Sequence, residues 1–426
     1  MSDFQKAFVR SQLARLPSEA PLILDEAEEE TSNSFAAAHR DDDSSSASSA
    51  SSVGTIIPSP GRNLFARSRG PSARQASNSL SWTDFYAQEL FLEHAVDALH
   101  ITHHAYITPP NGSGPLFVMH HGAGSSGLSF ASCAKEIRTR LPEAGILSID
   151  ARYHGGTTID SISHEASEPE LDLRLETLSS DLVFIVTETK LAMHWDMLPD
   201  LVLVGHSLGG AVITDVAKRG DLGSKLLAYA VLDVVEGSAM DALQSMETYL
   251  STRPARFASL SSGIEWHTRS RTIRNTASAR VSVPSLLKEE NDSSDPSRPW
   301  VWRTNLANTK HFWEGWFVGL SKKFLEAKGG KLLLLAGTDR LDKELMIGQM
   351  QGKYQLQVLP DSGHFIQEDQ PSKAAQILVD FYRRNDRNAL ILPPKVGDMM
   401  ASRAMEKGIG VEGRVGSANP FKKPLS

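Results

Sequence analysis

Residues 201–218 read LVLVGHSLGGAVITDVAK. Leu201 to Val204 form a short apolar run, which suits a strand buried on both faces of a parallel sheet. Gly205-His206-Ser207-Leu208-Gly209 fits the pattern G-x-S-x-G. From Gly210 onward the spacing is helical, with Val212, Val216 and Ala217 able to share one face. Strand, sharp turn and helix together predict a serine lifted above the edge of a sheet. The small residues on either side of it keep strand and helix apart. Ser207 is therefore a candidate nucleophile, and the N–H of Leu208, at the helix start, is aimed where an oxyanion would form. A lone serine hydroxyl is weakly nucleophilic, so the rest of the chain must supply a base and an acid to orient it.

Residues 360–369, PDSGHFIQED, place His364 just after the last apolar strand candidate. Position singles it out among 14 histidines, because an imidazole there can take the serine proton and return it to a leaving group. His206 adjoins the serine but points elsewhere in such a turn, and is read as structural. Two acids satisfy the order Ser…Asp…His. Asp233 ends the strand of VLDVVEGSAMDAL, and Asp339 ends LLLLAGTD, with Asp342 close by. Topology alone favours Asp339. FVMHHGAGSSGLSF, residues 117–130, puts Gly122 and Ala123 after a strand, where small residues let backbone N–H groups complete an oxyanion hole. It is no phosphate loop, since G-x-x-x-x-G-K-[ST] is not matched.

Working outward, six buried-strand candidates begin at Leu116, Ile146, Leu201, Leu226, Lys331 and Tyr354, after a more alternating stretch at 98–107. Helical patterns separate most of them, for example LRLETLSSDLVFIVTETK before the Ser207 strand. The expected class is α/β: a mostly parallel central sheet flanked by helices, with its chemistry at the carboxyl ends of the strands. Residues 240–325 interrupt the alternation with helical patterns and are predicted to form an inserted helical cap. Its tryptophans, Trp300, Trp302, Trp313 and Trp316, are expected mainly in the cap core. Trp313 and Trp316 are also candidates to line a groove.

The folded region is expected over residues 81–386. Residues 1–80 contain DEAEEE, DDDSSSASSASS and RSRGPSARQ, too polar to offset the entropy of ordering, and 387–426 read as a flexible tail. A net charge of −7 offers no general attraction to nucleic acid or anionic membrane. The single cysteine, Cys133, excludes an internal disulfide. No signal-peptide core or membrane-length apolar run is evident, so a cytoplasmic or nuclear protein is expected. No H-E-x-x-H or comparable spacing suggests a metal, and no cofactor is expected.

Several segments are more specific than G-x-S-x-G. They are HGAGSSGLSF, DARYHGGT, LDVVEGSAMDAL, FWEGWFVGLSKKFL and LAGTDRLDKELMIGQMQGK. On these the chain resembles the protein phosphatase methylesterases, an α/β-hydrolase family, over roughly three quarters of its length. The resemblance implies a serine esterase that demethylates the C-terminal leucine of the protein phosphatase 2A catalytic subunit. It also implies inhibition of that phosphatase by docking on its tail and active-site face. It assigns the triad acid to Asp233, against the topological preference, and leaves Asp339, Arg340, Met350 and Gln351 as candidates for positioning or partner contact. Ala123 stands where the family carries the middle one of three adjacent glycines, and the acidic loop KEENDSSD is short. Two other classes remain open: a generic small-ester carboxylesterase, and a phosphatase-binding module without turnover. The intact Ser207, Asp233 and His364 set argues against the second.

Overall fold

The structure, a computed structural model, describes residues 79–387 apart from 97, 163–169, 291–294 and 338–340. The expected N-terminal segment and C-terminal tail lie almost wholly outside the described residues.

An antiparallel pair, β1 (Gln88–Val96) and β2 (Leu99–Thr108), opens the fold. Then come β3 (Leu116–His120), α1 (Ala131–Arg140), β4 (Gly145–Ile149), β5 (Thr158–Ser161) and α2 (Leu175–Ala192). The candidate nucleophile lies between β6 (Leu201–His206) and α3 (Leu208–Arg219), and β7 (Leu226–Leu232) follows. After a long insertion come β11 (Gly330–Leu335), α9 (Lys343–Met350), β12 (Gln355–Val358), α10 (Ile366–Asp369) and α11 (Pro371–Asn385).

The strands order as β1-β2-β4-β3-β6-β7-β11-β12, with β5 on β2, and every pair from β4 to β12 is parallel. Alternation explains the layers. Leu201 and Leu203 face one side, where Leu178, Leu182 and Ile185 of α2 and Val212 and Val216 of α3 cover them. Val202 and Val204 face the other, under Ala134 and Ile137 of α1 and Leu378 of α11. Burial on both faces is why β6 reads as an unbroken apolar run.

The insertion holds α4 (Glu236–Thr252), β8 (Arg256–Phe257), α5 (Leu260–Arg269), α6 (Thr276–Leu286), β9 (Leu287–Glu289), β10 (Trp300–Trp302), α7 (Trp313–Phe317) and α8 (Leu320–Glu326). It is not purely helical as expected: β8, β10 and β9 form a small antiparallel sheet. Strands of two and three residues are too short to display a period of two. They enclose a minor core of Phe257, Ile264, Ile273, Ala279, Val283 and Leu287, against which Trp300 and Trp302 pack. Trp313 and Trp316 differ from expectation, for they belong to the main core.

Candidate active site

Ser207 sits at φ 52°, ψ −120°, a backbone shape that is costly for a residue with a side chain. The surroundings impose it. A Cβ on Gly205 would fall 2.2 Å from the carbonyl of Gly209, and one on Gly209 would fall 2.1 Å from that of His120. Only glycines allow strand and helix to approach so closely at the elbow. The Ser207 N–H donates to Leu232 O at 3.0 Å, which ties the elbow to β7. Leu208 begins α3, and the first N–H groups of a helix lack intrahelical acceptors.

Asp233 ends β7, also at positive φ, 51°. Its N–H donates to Leu334 O at 2.8 Å, and its Oδ1 accepts from Ala336 N–H at 2.9 Å. Its Oδ2 lies 2.8 Å from His364 Nδ1. An ionised carboxylate only accepts, so Nδ1 carries the proton and Nε2 is left as the basic nitrogen. Asp233 is buried while the His364 side chain is 44% exposed, so the imidazole reaches from a shielded anchor to solvent. Among the described residues no hydrogen bond joins Ser207 Oγ to His364. Asp339 and Arg340 lie outside the described residues. Asp342 caps α9, accepting from Leu345 N–H at 2.9 Å.

Gly122 lies against the nucleophile, since a Cβ there would meet Ser207 Cβ at 3.1 Å and His206 Nδ1 at 3.0 Å. Ala123 follows, half-buried against the core. Histidines that the sequence reading passed over hold this loop. His121 Nδ1–H donates to Gly122 O at 2.7 Å while its Nε2 accepts from Ala151 N–H at 3.0 Å. His154 Nε2 accepts from Gly124 N–H at 2.9 Å, and its Nδ1–H donates to Arg152 O at 2.9 Å. Burial holds both below the ordinary histidine range, so they are neutral and can accept. The adjacent pair His120-His121 was the available signal, but its meaning depends on contacts with β4.

A second support acts on the His364 loop. His206 Nε2–H donates to His364 O at 2.9 Å, and burial pushes its pKa down to about 3. Asp369 accepts twice: from Gly363 N–H at 2.6 Å and from Arg274 N–H at 2.7 Å. Arg274 Nη1 donates to Asp361 O at 2.7 Å. Ser278 Oγ donates to Glu368 O at 2.8 Å, and Ser282 Oγ to Glu368 Oε2 at 2.6 Å. Insertion residues 274–282 thus brace the segment that carries His364.

Of the candidates for partner contact, Trp313 and Trp316 are buried, with their indole N–H groups bonded to Thr309 Oγ1 at 2.8 Å and Leu173 O at 2.7 Å. Neither ring is exposed at the surface of this structure. Met350 ends α9 with 88% of its surface exposed, beside exposed Gln351, Met346 and Ile347. Among the described residues one cluster, His94, His103 and Asp181, has the spacing of metal ligands. Both Asp181 oxygens are taken by Arg152, at 2.5 and 2.7 Å. That guanidinium already neutralises the carboxylate and would repel a cation.

A family model described as Alpha/beta hydrolase family matches residues 117–377. A protein phosphatase methylesterase 1 from Aspergillus fumigatus is 70% identical, over 96% of this chain and 95% of its own length. One from Neurospora crassa is 54% identical, over 94% and 99%. One from Schizosaccharomyces pombe is 44% identical, over 74% and 88%. Among solved structures, E-2-(acetamidomethylene)succinate hydrolase superposes with a TM-score of 0.51 at 18% identity, covering 68% of this chain and 98% of its own. The peroxisomal alpha-beta-hydrolase Lpx1 of Saccharomyces cerevisiae does so with 0.51 at 12%, covering 75% and 96%. At such identities the likeness concerns the fold.

Proposed function

This chain belongs to the protein phosphatase methylesterases, an α/β-hydrolase family, and from that premise we propose that it removes the methyl ester from the C-terminal leucine of the protein phosphatase 2A catalytic subunit. The observation that carries the reading is the 2.8 Å contact of His364 Nδ1 with buried Asp233, above a serine held at a strained elbow.

In this reading His364 Nε2 takes the Ser207 proton as Oγ attacks the ester carbonyl. The N–H groups of Leu208 and of the Gly122–Ala123 region hold the oxyanion. The imidazolium, stabilised by Asp233, protonates the departing methoxide, and methanol leaves. Water, activated by the same nitrogen, then hydrolyses the acyl-enzyme and restores Ser207. A neutral ester becomes a carboxylate, adding one negative charge to the phosphatase tail.

Ser207 and His364 share no hydrogen bond here, so docking of the protein substrate is assigned the task of completing the triad. Inhibition of the phosphatase by docking belongs to the same proposal. The test is methanol release from the methylated catalytic subunit against hydrolysis of p-nitrophenyl acetate. A kcat/KM at least about 100-fold higher on the protein substrate is expected. Equal efficiency on both would favour a generic carboxylesterase.

A further inference from the structure

Beyond β4, Tyr153 and residues 155–158 form the floor of a cavity of about 340 Å³, and its roof is the cap strand residue Lys288 with residues 303–305, 308 and 309. The floor is preformed. The Asp150 carboxylate accepts from Gly127 N–H at 2.7 Å and Gly156 N–H at 2.8 Å, and meets His104 Nδ1 at 2.7 Å. Thr304 Oγ1 donates to Tyr153 O at 2.8 Å and ties roof to floor. Tyr153 itself sits at φ 61°, an uncommon shape for a bulky residue. Of five described non-glycine residues at positive φ, Ser207 and Asp233 hold the candidate triad and Tyr153 lines this cavity. Strain kept in place by so many bonds marks a site that needs its shape.

Among the described residues the charge on the walls has one sign. Lys288 and Arg303 are the charged side chains of that lining, and no carboxylate is among the rest of it. The Arg303 guanidinium is held by the carbonyls of Ser285 at 3.2 Å and Leu287 at 3.4 Å, which orient it without neutralising it. Asp172, near enough to act on Tyr153, is committed to Arg174 at 2.8 and 2.9 Å. Asn305 and Asn308 add neutral hydrogen-bonding groups.

The cavity adjoins the candidate oxyanion loop. Leu306, next to Asn305, packs over Gly124, where a Cβ would meet it at 2.6 Å. Gly124 N–H donates at 2.9 Å to His154 of the floor turn. In the sheet β4 stands two strands from β6, and the cavity lies beyond β4, on the side away from Ser207.

We infer that this cavity is a subsite for a side-chain carboxylate of an extended polypeptide substrate, upstream of the esterified terminus. The inference rests on the reading that the substrate is a polypeptide ester. The test uses eight-residue peptides ending in leucine methyl ester, neutral except for one glutamate walked through successive positions, each paired with its glutamine counterpart. Methanol release gives a glutamate-to-glutamine ratio of kcat/KM on each enzyme, in which any loss of folded protein cancels. The wild type is expected to prefer glutamate about fivefold at one of the upstream positions, through KM and less so at high salt. Lys288→Glu and Arg303→Glu are expected to bring the ratio to unity or below. A ratio near unity at every position in the wild type, or one unchanged in both variants, overturns the subsite alone. If p-nitrophenyl acetate is hydrolysed but no peptide ester is, the polypeptide reading falls and the subsite with it.

Discussion

A serine Oγ becomes a useful nucleophile only when its proton has somewhere to go, and in the proposed mechanism His364, which meets Asp233 at 2.8 Å, takes it from Ser207. Ser207→Ala should lower kcat by at least about 10⁴-fold while leaving the fold and partner binding intact. Asp233→Asn keeps the shape but presents an amide to Nδ1, which favours the wrong tautomer. A loss of about 10⁴-fold in kcat is expected, with KM little changed. Steady-state kinetics with circular dichroism as a control of folding checks both. Gly122→Ala places a methyl 3.1 Å from Ser207 Cβ and should cost roughly 10- to 100-fold in kcat by moving the nucleophile. Residual kcat above half of wild type would remove Gly122 from the site.

Elements, rather than single residues, decide where His364 stands. Asp369 holds Gly363 N–H at 2.6 Å and Arg274 N–H at 2.7 Å with its two oxygens. Asp369→Asn has one acceptor for two donors, so the loop should loosen and kcat fall about tenfold with KM nearly constant. Asp369 acts as a positioning residue: a purely structural role would lower stability and leave the pH–rate profile unmoved, whereas this account expects the profile to shift. Nearby Glu368 is buried, and burial pushes its pKa from 4.5 up to about 8. Its neutral form is the one that the fold accommodates. The stability it contributes is full below the unfolded value and is lost as pH rises through about 8. Wild type should therefore unfold more easily at pH 8 than at pH 6, and Glu368→Gln should flatten that slope in denaturant titrations. An unchanged slope would show that the carboxyl is ionised in the fold.

This level also shows what the sequence could disclose. The β6 run and the elbow were legible because burial on both faces leaves an apolar string and because close packing at the turn demands glycine. His364 was legible from its place after a strand. Asp233 is not decidable from topology, since two apolar runs lead into an aspartate; the family resemblance assigns the acid to Asp233, and the structure adds the contact of Asp233 with the imidazole. The histidine supports of residues 120–124 and the clamp at Arg274 join segments up to 95 residues apart, so no local pattern announces them. The small cap sheet was missed because two- and three-residue strands carry no period.

Across the whole molecule, a doubly covered sheet fixes the elbow and Asp233, while the insertion between β7 and β11 both braces the His364 loop and roofs the neighbouring cavity. One large unit therefore does two things: it braces the His364 segment and encloses the neighbouring cavity. Trp313 and Trp316 were attractive as groove aromatics by their place in the insertion, yet their neighbours carry them into the main core. The most direct measurement is methanol release from carboxymethylated phosphatase 2A catalytic subunit by wild type and Ser207→Ala, with binding recorded in parallel. The account predicts release by wild type alone and binding by both. Binding without release by wild type, or release undiminished in Ser207→Ala, would contradict it.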